Sequence, residues 1–341
     1  MMKLDNASIK KILVINLAFI GDVILATPVT RGLRETYPQA TIDMLVIPAA
    51  APIAELNPYI DHVTVYDKRV KHKNMTTLWS LIKELRTKKY DLTISTNFAL
   101  RNAMVAWSTG APYRVGYDAQ HANWFLTHVA SAVRTLYRHE AENQLDVLSP
   151  LGIKVEDTSL QLKVREEDTN YLQTVLKRTP GKKLVVICPA GSYQRKSWIT
   201  EGYAQFLQEV SQVADCCLIG GKAEINLLEE INALSGNVAQ VFAGNLTLGQ
   251  VAALLVRADL LLSVDTGPLH IGQAVSTPTL GLFGPTDPGI WGPRGSKDCI
   301  IYRPVDCSPC WGKGECREHR CMANILPEEV IGLAMTMLKE Q

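Results

Sequence analysis

Leu260-Leu-Leu-Ser-Val-Asp265-Thr266-Gly267-Pro268-Leu-His270 reads as a buried strand running directly into a helix. Apart from Ser263, Leu260 to Val264 is apolar without alternation, as expected of a parallel strand covered on both faces. It delivers Asp265, Thr266 and Gly267 to the start of a short helix over Pro268 to Ala274, with the proline in its first turn. Free backbone N–H groups there favour anions, and the Thr266 hydroxyl adds a donor. His270 follows one turn later, on or near the same face. An ordinary Asp or Thr cap followed by a core histidine would read the same way.

The same grammar recurs to either side. Lys183 to Cys188 is a second buried strand, followed by Pro189-Ala-Gly191-Ser192-Tyr-Gln-Arg195-Lys196-Ser-Trp198. A glycine, a hydroxyl and two cations after a strand suit a phosphate, Lys196 as a compact charge and Arg195 as a fork. The plainer alternative is a solvated loop anchored by Trp198. Near the start, Lys11 to Asn16 is a strand that leads through Leu17-Ala-Phe-Ile to Gly21 and Asp22. Gly21 permits a tight turn, and Asp22 sits at a helix N-terminus, where it could equally be a simple cap. No G-x-G-x-x-G is present, which weighs against a nicotinamide oxidoreductase. Gly284-Pro285-Thr286-Asp287 forms another turn-rich loop after a strand over Thr279 to Phe283.

Strands and helices alternate along all 341 residues. The pattern restarts near residue 160, so the expected class is α/β: two Rossmann-like parallel-sheet domains facing a central cleft. The expected boundaries are 1–160 for an acceptor-binding domain and 161–325 for a nucleotide-sugar-binding domain. A terminal helix within 326–341 is a candidate to pack back on the first half. With 47% hydrophobic and 20% charged residues the composition is that of a folded protein, and a net charge of +1 argues against a nucleic-acid partner. The most apolar early run is interrupted by Asn16, Gly21, Asp22 and Pro28, so neither a spanning helix nor a signal peptide is expected, and a cytoplasmic location is.

Two phosphate-type loops in one half and a carboxylate in the other suggest a nucleotide-diphosphate donor opposite a base. No D-x-D pair is placed to hold a divalent ion. Gly21-Asp22, Gly191-Ser192 with Arg195-Lys196-Ser-Trp198, Ser263-Val-Asp265-Thr266-Gly267-Pro268-Leu-His270 and Phe283-Gly284-Pro285-Thr286 together resemble glycosyltransferase family 9, which contains the bacterial heptosyltransferases. The resemblance runs in order over nearly the whole chain. It implies a GT-B fold, an ADP-heptose donor in the C-terminal half, and an inverting, metal-independent displacement onto a lipopolysaccharide inner-core acceptor or a protein O-glycan. It also implies that Asp22 is the general base, that Lys196 and Glu224 contact the adenosine ribose or phosphates, and that Ser192, Thr266 and Gly267 contact the diphosphate. Gly191, Asp265 and His270 complete the expected donor loops. A nucleotide-sugar epimerase or hydrolase on the same scaffold, and a non-catalytic interaction module, are the alternatives.

Cys307, Cys310, Cys316 and Cys321 are spaced C-x2-C-x5-C-x4-C. A C-x2-C turn can offer two thiolates to one ion and two more cysteines complete a tetrahedron, so a structural knuckle at 307–321 holding Zn or Fe is expected, with His319 as a substitute ligand. Two disulfides would disagree with a reducing cytosol. Some members of the resembled family carry a similar cysteine group, iron-binding in one case. Residues 68–89 hold eight cations against Glu84 alone, which would suit an anionic lipid-linked acceptor or the inner membrane leaflet, or simply a solvated face. Arg101, Arg114, His121, His128 and His139 are further candidates for acceptor contacts.

Overall fold

The computed structural model describes residues 8–131, 138–191, 193–316 and 318–340, so the expectation for Ser192 lies outside the described residues. The chain forms two compact units, 1–163 and 164–341. The first carries β1 (Lys11–Asn16), β2 (Thr41–Val46), β3 (His62–Val65), β4 (Leu92–Ser95), β5 (Tyr113–Tyr117) and β6 (His128–Ala130) in one sheet, in the order β3-β2-β1-β4-β5-β6. The second carries β7 (Lys183–Cys188), β8 (Ala214–Gly220), β9 (Ala239–Ala243), β10 (Leu260–Val264), β11 (Thr279–Phe283) and β12 (Cys299–Tyr302), in the order β12-β11-β10-β7-β8-β9. Every pairing is parallel. The two orders are the same once each sheet is numbered from its own first strand, and it is the dinucleotide-fold order.

Unbroken apolar runs dictate the central strands. All five residues of β10 are buried, and Leu262 and Val264 share a core with Val185 and Ile187 of β7. Burying such a side chain is worth about 1.5–3 kcal/mol. The observed bounds of β1, β7, β10 and β11 agree with the sequence reading. Apolar periodicity alone would make Val23 to Tyr37 one helix, but the chain forms two, Ile20–Leu25 and Thr27–Thr36. Pro28 explains the break: it has no N–H to give and its ring would crowd the carbonyl four residues back, so the chain re-enters a helix with proline in the first turn. The terminal helix Pro327–Lys339 belongs to the second unit, where Val330, Ala334, Met337 and Leu338 join the core that holds Phe206 and Val210. Among the described residues, no helix is long and apolar enough to cross a membrane.

In each sheet the strand order reverses at one place, between β1 and β4 and between β7 and β10. Ligands of open α/β sheets bind beyond the carboxyl ends of strands at such a switch point.

Candidate active site

In the second unit, β7 and β10 run side by side with Cys188 level with Ser263. Their carboxyl ends therefore bring the 189–198 loop against the 265–267 turn. Lys196, in the short turn Gln194–Lys196, places its Nζ 2.7 Å from Asp265 Oδ2 and 3.0 Å from the Asp265 carbonyl oxygen. Both side chains are largely buried, so each charge is held by the other. Gly191 is what lets Lys196 lie down: a Cβ at position 191 would come 2.6 Å from Lys196 Cβ. Lys196 Nζ also lies 5.0 Å from the centre of the Tyr193 ring, a cation–π contact.

His270 lies in the first turns of the helix Gly267–Ala274, with Nε2 3.9 Å from Asp265 Oδ1. Gln273 Nε2 lies 3.3 Å from His270 Nδ1, and in this amide orientation it donates to that nitrogen. Burial pushes the His270 ring down to about 4; the Asp265 carboxylate opposes the fall and Lys196 adds to it. The imidazole is therefore neutral at pH 7. Thr266 is the N-cap residue of this helix, yet its hydroxyl makes no capping bond.

The neighbouring strand ends complete the row. After β8, Glu224 Oε2 accepts the Gly221 N–H at 2.7 Å, so Glu224 shapes its own turn, and its charge is felt by the Cys188 thiol at the end of β7. After β11, the Thr286 hydroxyl is buried with no hydrogen-bond partner among the described residues, and so is the Tyr193 hydroxyl. Burial and the Asp265 charge push Tyr193 up to about 12. Sequence reasoning missed Tyr193; only a fold places its ring under Lys196.

Arg195 does not serve as the expected phosphate fork. Its Nη1 donates to the carbonyl oxygens of Gly312 (3.1 Å) and Gly314 (2.8 Å), tying the loop to the cysteine-bearing segment. Gly312, at φ +70°, packs against the Tyr193 ring; a Cβ there would come 2.9 Å from it. The Trp311 N–H donates to the Pro285 carbonyl at 2.8 Å, and Gly284 packs on Cys321 and Met322. The 307–321 segment thus braces two of the loops at the strand ends.

Cys307, Cys310, Cys316 and Cys321 are all free thiols and line one cavity of about 220 Å³, together with Arg195 and His319. Burial raises the Cys321 thiol, and the nearby Cys310 adds to it. Among the described residues, no three His, Cys, Asp or Glu side chains stand as a ready group for a metal ion. The donor set is nonetheless chemically suited to a thiophilic ion. A larger cavity of about 380 Å³ lies beside Arg178, Asp215 and Gln240, at the amino ends of β8 and β9, the wrong ends for a ligand of such a sheet.

In the first unit, Asp22 falls within the helix Ile20–Leu25, one residue after Gly21. Its Oδ2 accepts the Phe19 N–H at 3.2 Å. Its carbonyl oxygen accepts from Asn16 Nδ2 (3.1 Å) and Gln144 Nε2 (3.3 Å). Both amides are buried, and together they fix the turn. Among the other expected acceptor contacts, Arg114 is spent on the carbonyls of Phe125 and Ala111, and His139 caps the helix Glu140–Leu145. The buried Asn16 and Gln144 were not foreseen; 128 positions apart in sequence, they meet at the Asp22 carbonyl only in the fold.

Two Rossmann-type parallel sheets of identical order are the GT-B architecture, and the second sheet carries a Lys–Asp–His cluster at its switch point. The family model glycosyltransferase family 9 (heptosyltransferase) matches residues 78–320. Lipopolysaccharide heptosyltransferase 3 of Escherichia coli K12 is 30% identical over 339 residues, covering 94% of this chain and 96% of its own length. Lipopolysaccharide core heptosyltransferase OpsX of Haemophilus influenzae is 25% identical over 311 residues, covering 88% and 86%. The solved glycosyltransferase family 9 structure from Veillonella parvula matches with a TM-score of 0.84 at 27% identity, covering 97% and 98%. The chain belongs to glycosyltransferase family 9, and it is a glycosyltransferase.

Proposed function

We propose that this enzyme moves a heptose from ADP-heptose to a hydroxyl of a lipopolysaccharide inner-core acceptor, in one inverting displacement that needs no catalytic metal. The observation that carries the reading is the buried Lys196–Asp265 pair beside His270 and Thr266, where an anionic diphosphate would find a cation, hydroxyls and a helix start. The similarity to lipopolysaccharide heptosyltransferases supports the sugar and the acceptor class. In this reading 1–160 binds the acceptor, 161–325 binds the donor, and the protein works in the cytoplasm.

The acceptor oxygen attacks the anomeric carbon, the bond from that carbon to the β-phosphate oxygen breaks, and the hydroxyl proton passes to the Asp22 carboxylate. The Asn16 and Gln144 bonds to the Asp22 backbone hold that carboxylate's turn. A carboxylate is a weak base, so the proton moves late and much of the acceleration comes from positioning. Charge building on the departing ADP is met by Lys196, Thr266 and the N–H of Gly267, while neutral His270 adds a hydrogen-bonding group rather than a second charge. Gly21, Gly191 and Glu224 shape the loops that present these groups.

Cys307, Cys310, Cys316 and Cys321 would hold a structural Zn or Fe, whose contribution is to cross-link the segment that braces the donor loops. Metal analysis of the purified chain should give about one ion, lost in Cys310→Ser. A native chain without metal, indifferent to chelator, would reject that assignment. The function itself is tested by incubating the enzyme with ADP-heptose and a heptose-deficient core acceptor and following ADP release and the anomeric configuration of the product. Release of ADP without acceptor, at the same rate as with it, would instead indicate a hydrolase.

A further inference from the structure

We propose that one face of the first unit, built from the 67–72 turn and the outward stripe of the helix Met75–Thr87, docks on an anionic lipid surface. The turn is ordered by its own hydrogen bonds. Asp67 Oδ1 accepts the N–H groups of Arg69 and Val70, each at 3.0 Å, and His72 Nδ1 accepts the Asp67 N–H at 3.0 Å. The result is a firm tip on which Val70 is 79% exposed between Arg69 and Lys71.

The helix that follows is divided lengthwise. Leu81 and Leu85 enter the core with Leu13, Tyr66 and Val105. Met75, Trp79, Lys83 and Arg86, spaced four, four and three residues apart, form the stripe on the far side. Met75 is 79% and Trp79 62% exposed. The Arg86 side chain lies against Gly110, just past the end of the helix Leu100–Ser108. Trp107 on that helix is exposed and meets Phe125 edge-on at 5.9 Å, with Trp124 exposed next to it. Large apolar tips therefore alternate with cations along the turn and the helix stripe. Lys88, counted with this cluster from the sequence, is not part of it: its Nζ is 2.8 Å from buried Asp43. Lys68, Arg69, Lys71, Lys73, Lys83, Arg86 and, just past the helix, Lys89 remain exposed, against Glu84.

A solvated face needs the cations but has no use for Val70, Met75 and Trp79. A flat protein partner would want a contiguous apolar patch rather than separate tips ringed by positive charge. Tips that enter the headgroup layer, flanked by lysines and arginines that meet anionic headgroups, fit an interfacial contact. Each such cation strengthens binding about fivefold near an anionic surface. The contact would bring the enzyme to a membrane-borne acceptor, and in that respect alone it rests on the proposed function.

The test is cosedimentation of the full chain with phosphatidylcholine vesicles and with vesicles that also contain phosphatidylglycerol. Binding is expected only to the second kind and should weaken as salt rises. Brominated lipids should quench part of the tryptophan emission, and less of it in Trp79→Phe. Lys71→Glu with Lys73→Glu should lower vesicle affinity at least about tenfold, while circular dichroism and ADP affinity stay as in the parent. Equal binding to both vesicles, no binding to either, or undiminished binding by the double variant would overturn the proposal. A parent chain that binds the anionic vesicles yet transfers no sugar would count against the enzymatic reading instead.

Discussion

The two units share a strand order and a switch point but furnish them with opposite chemistry. At the ends of β7 and β10 the second unit assembles a cation bonded to a carboxylate and, 3.9 Å from that carboxylate, a neutral imidazole, all largely buried. Near the end of β1 the first unit offers a partly buried carboxylate whose turn is held by uncharged amides. Fixed charge suits a partner whose charge and shape do not vary, as a diphosphate's do not. A half-open carboxylate on a turn held by neutral amides suits a hydroxyl-rich partner, because the carboxylate accepts from a hydroxyl while the amides satisfy its backbone without adding a buried charge. On the proposed reading the molecule spends its rigidity on the leaving group and keeps the acceptor side adaptable.

The sharpest way to break this contrast is at Asp22. Asp22→Ala should lower kcat by about 10²–10⁴-fold, the usual range for a lost general base, with ADP affinity unchanged by calorimetry. An equal loss of ADP affinity would mean that the first unit's carboxylate serves the donor after all. Asp22→Asn, which keeps the shape, should be nearly as inactive.

Lys196→Ala probes the other unit and should act on folding as well as binding. It leaves the Asp265 carboxylate buried without its cation, and breaking a buried pair in this way costs about 3–5 kcal/mol. Adding Asp265→Asn should recover most of the lost melting temperature without restoring ADP affinity. If the double variant also recovers ADP binding, Lys196 matters to the fold and not to the nucleotide.

How much of this was readable beforehand differs between the regions for a physical reason. β7 and β10 are apolar runs buried on both faces, so their bounds and the loops that follow could be read from residue order alone. β5 interrupts its pattern with Arg114 and Gly116, β6 has only three residues, and β9 is half-exposed; none carries a periodic signal, and none was foreseen. Lys196 and Asp265 were legible as members of phosphate-type loops, but their pairing across 69 residues was not. The redirection of Arg195 toward Gly312 spans 117 residues, and no local spacing encodes it.

The buried imidazole sharpens the contrast through pH. His270 titrates near 6.5 when exposed and at about 4 in the fold. The unfolded chain therefore takes up a proton first. The stability His270 contributes is fully present above pH 6.5 and is lost as the pH falls toward 4. Between pH 7 and pH 5 the loss is about 2 kcal/mol. Urea unfolding at the two pH values should show that difference in the parent and a smaller one in His270→Gln. Equal slopes would place the imidazole in water.

The smallest expected effect tests whether the cysteine-bearing segment belongs to the donor site or merely lies near it. Arg195→Ala removes the side-chain bonds to the Gly312 and Gly314 carbonyls, about 1 kcal/mol each for typical hydrogen bonds. It touches neither Lys196 nor Asp265 directly. If bracing matters, the loop that carries Tyr193 and Lys196 becomes more mobile before the donor arrives. Ordering it then subtracts from binding, so KM for the donor should rise several-fold while kcat holds. Arg195→Lys, which can still reach one carbonyl, should fall between the two. A change in kcat with KM constant would instead mean that Arg195 meets the transition state, against the direction its guanidinium takes here.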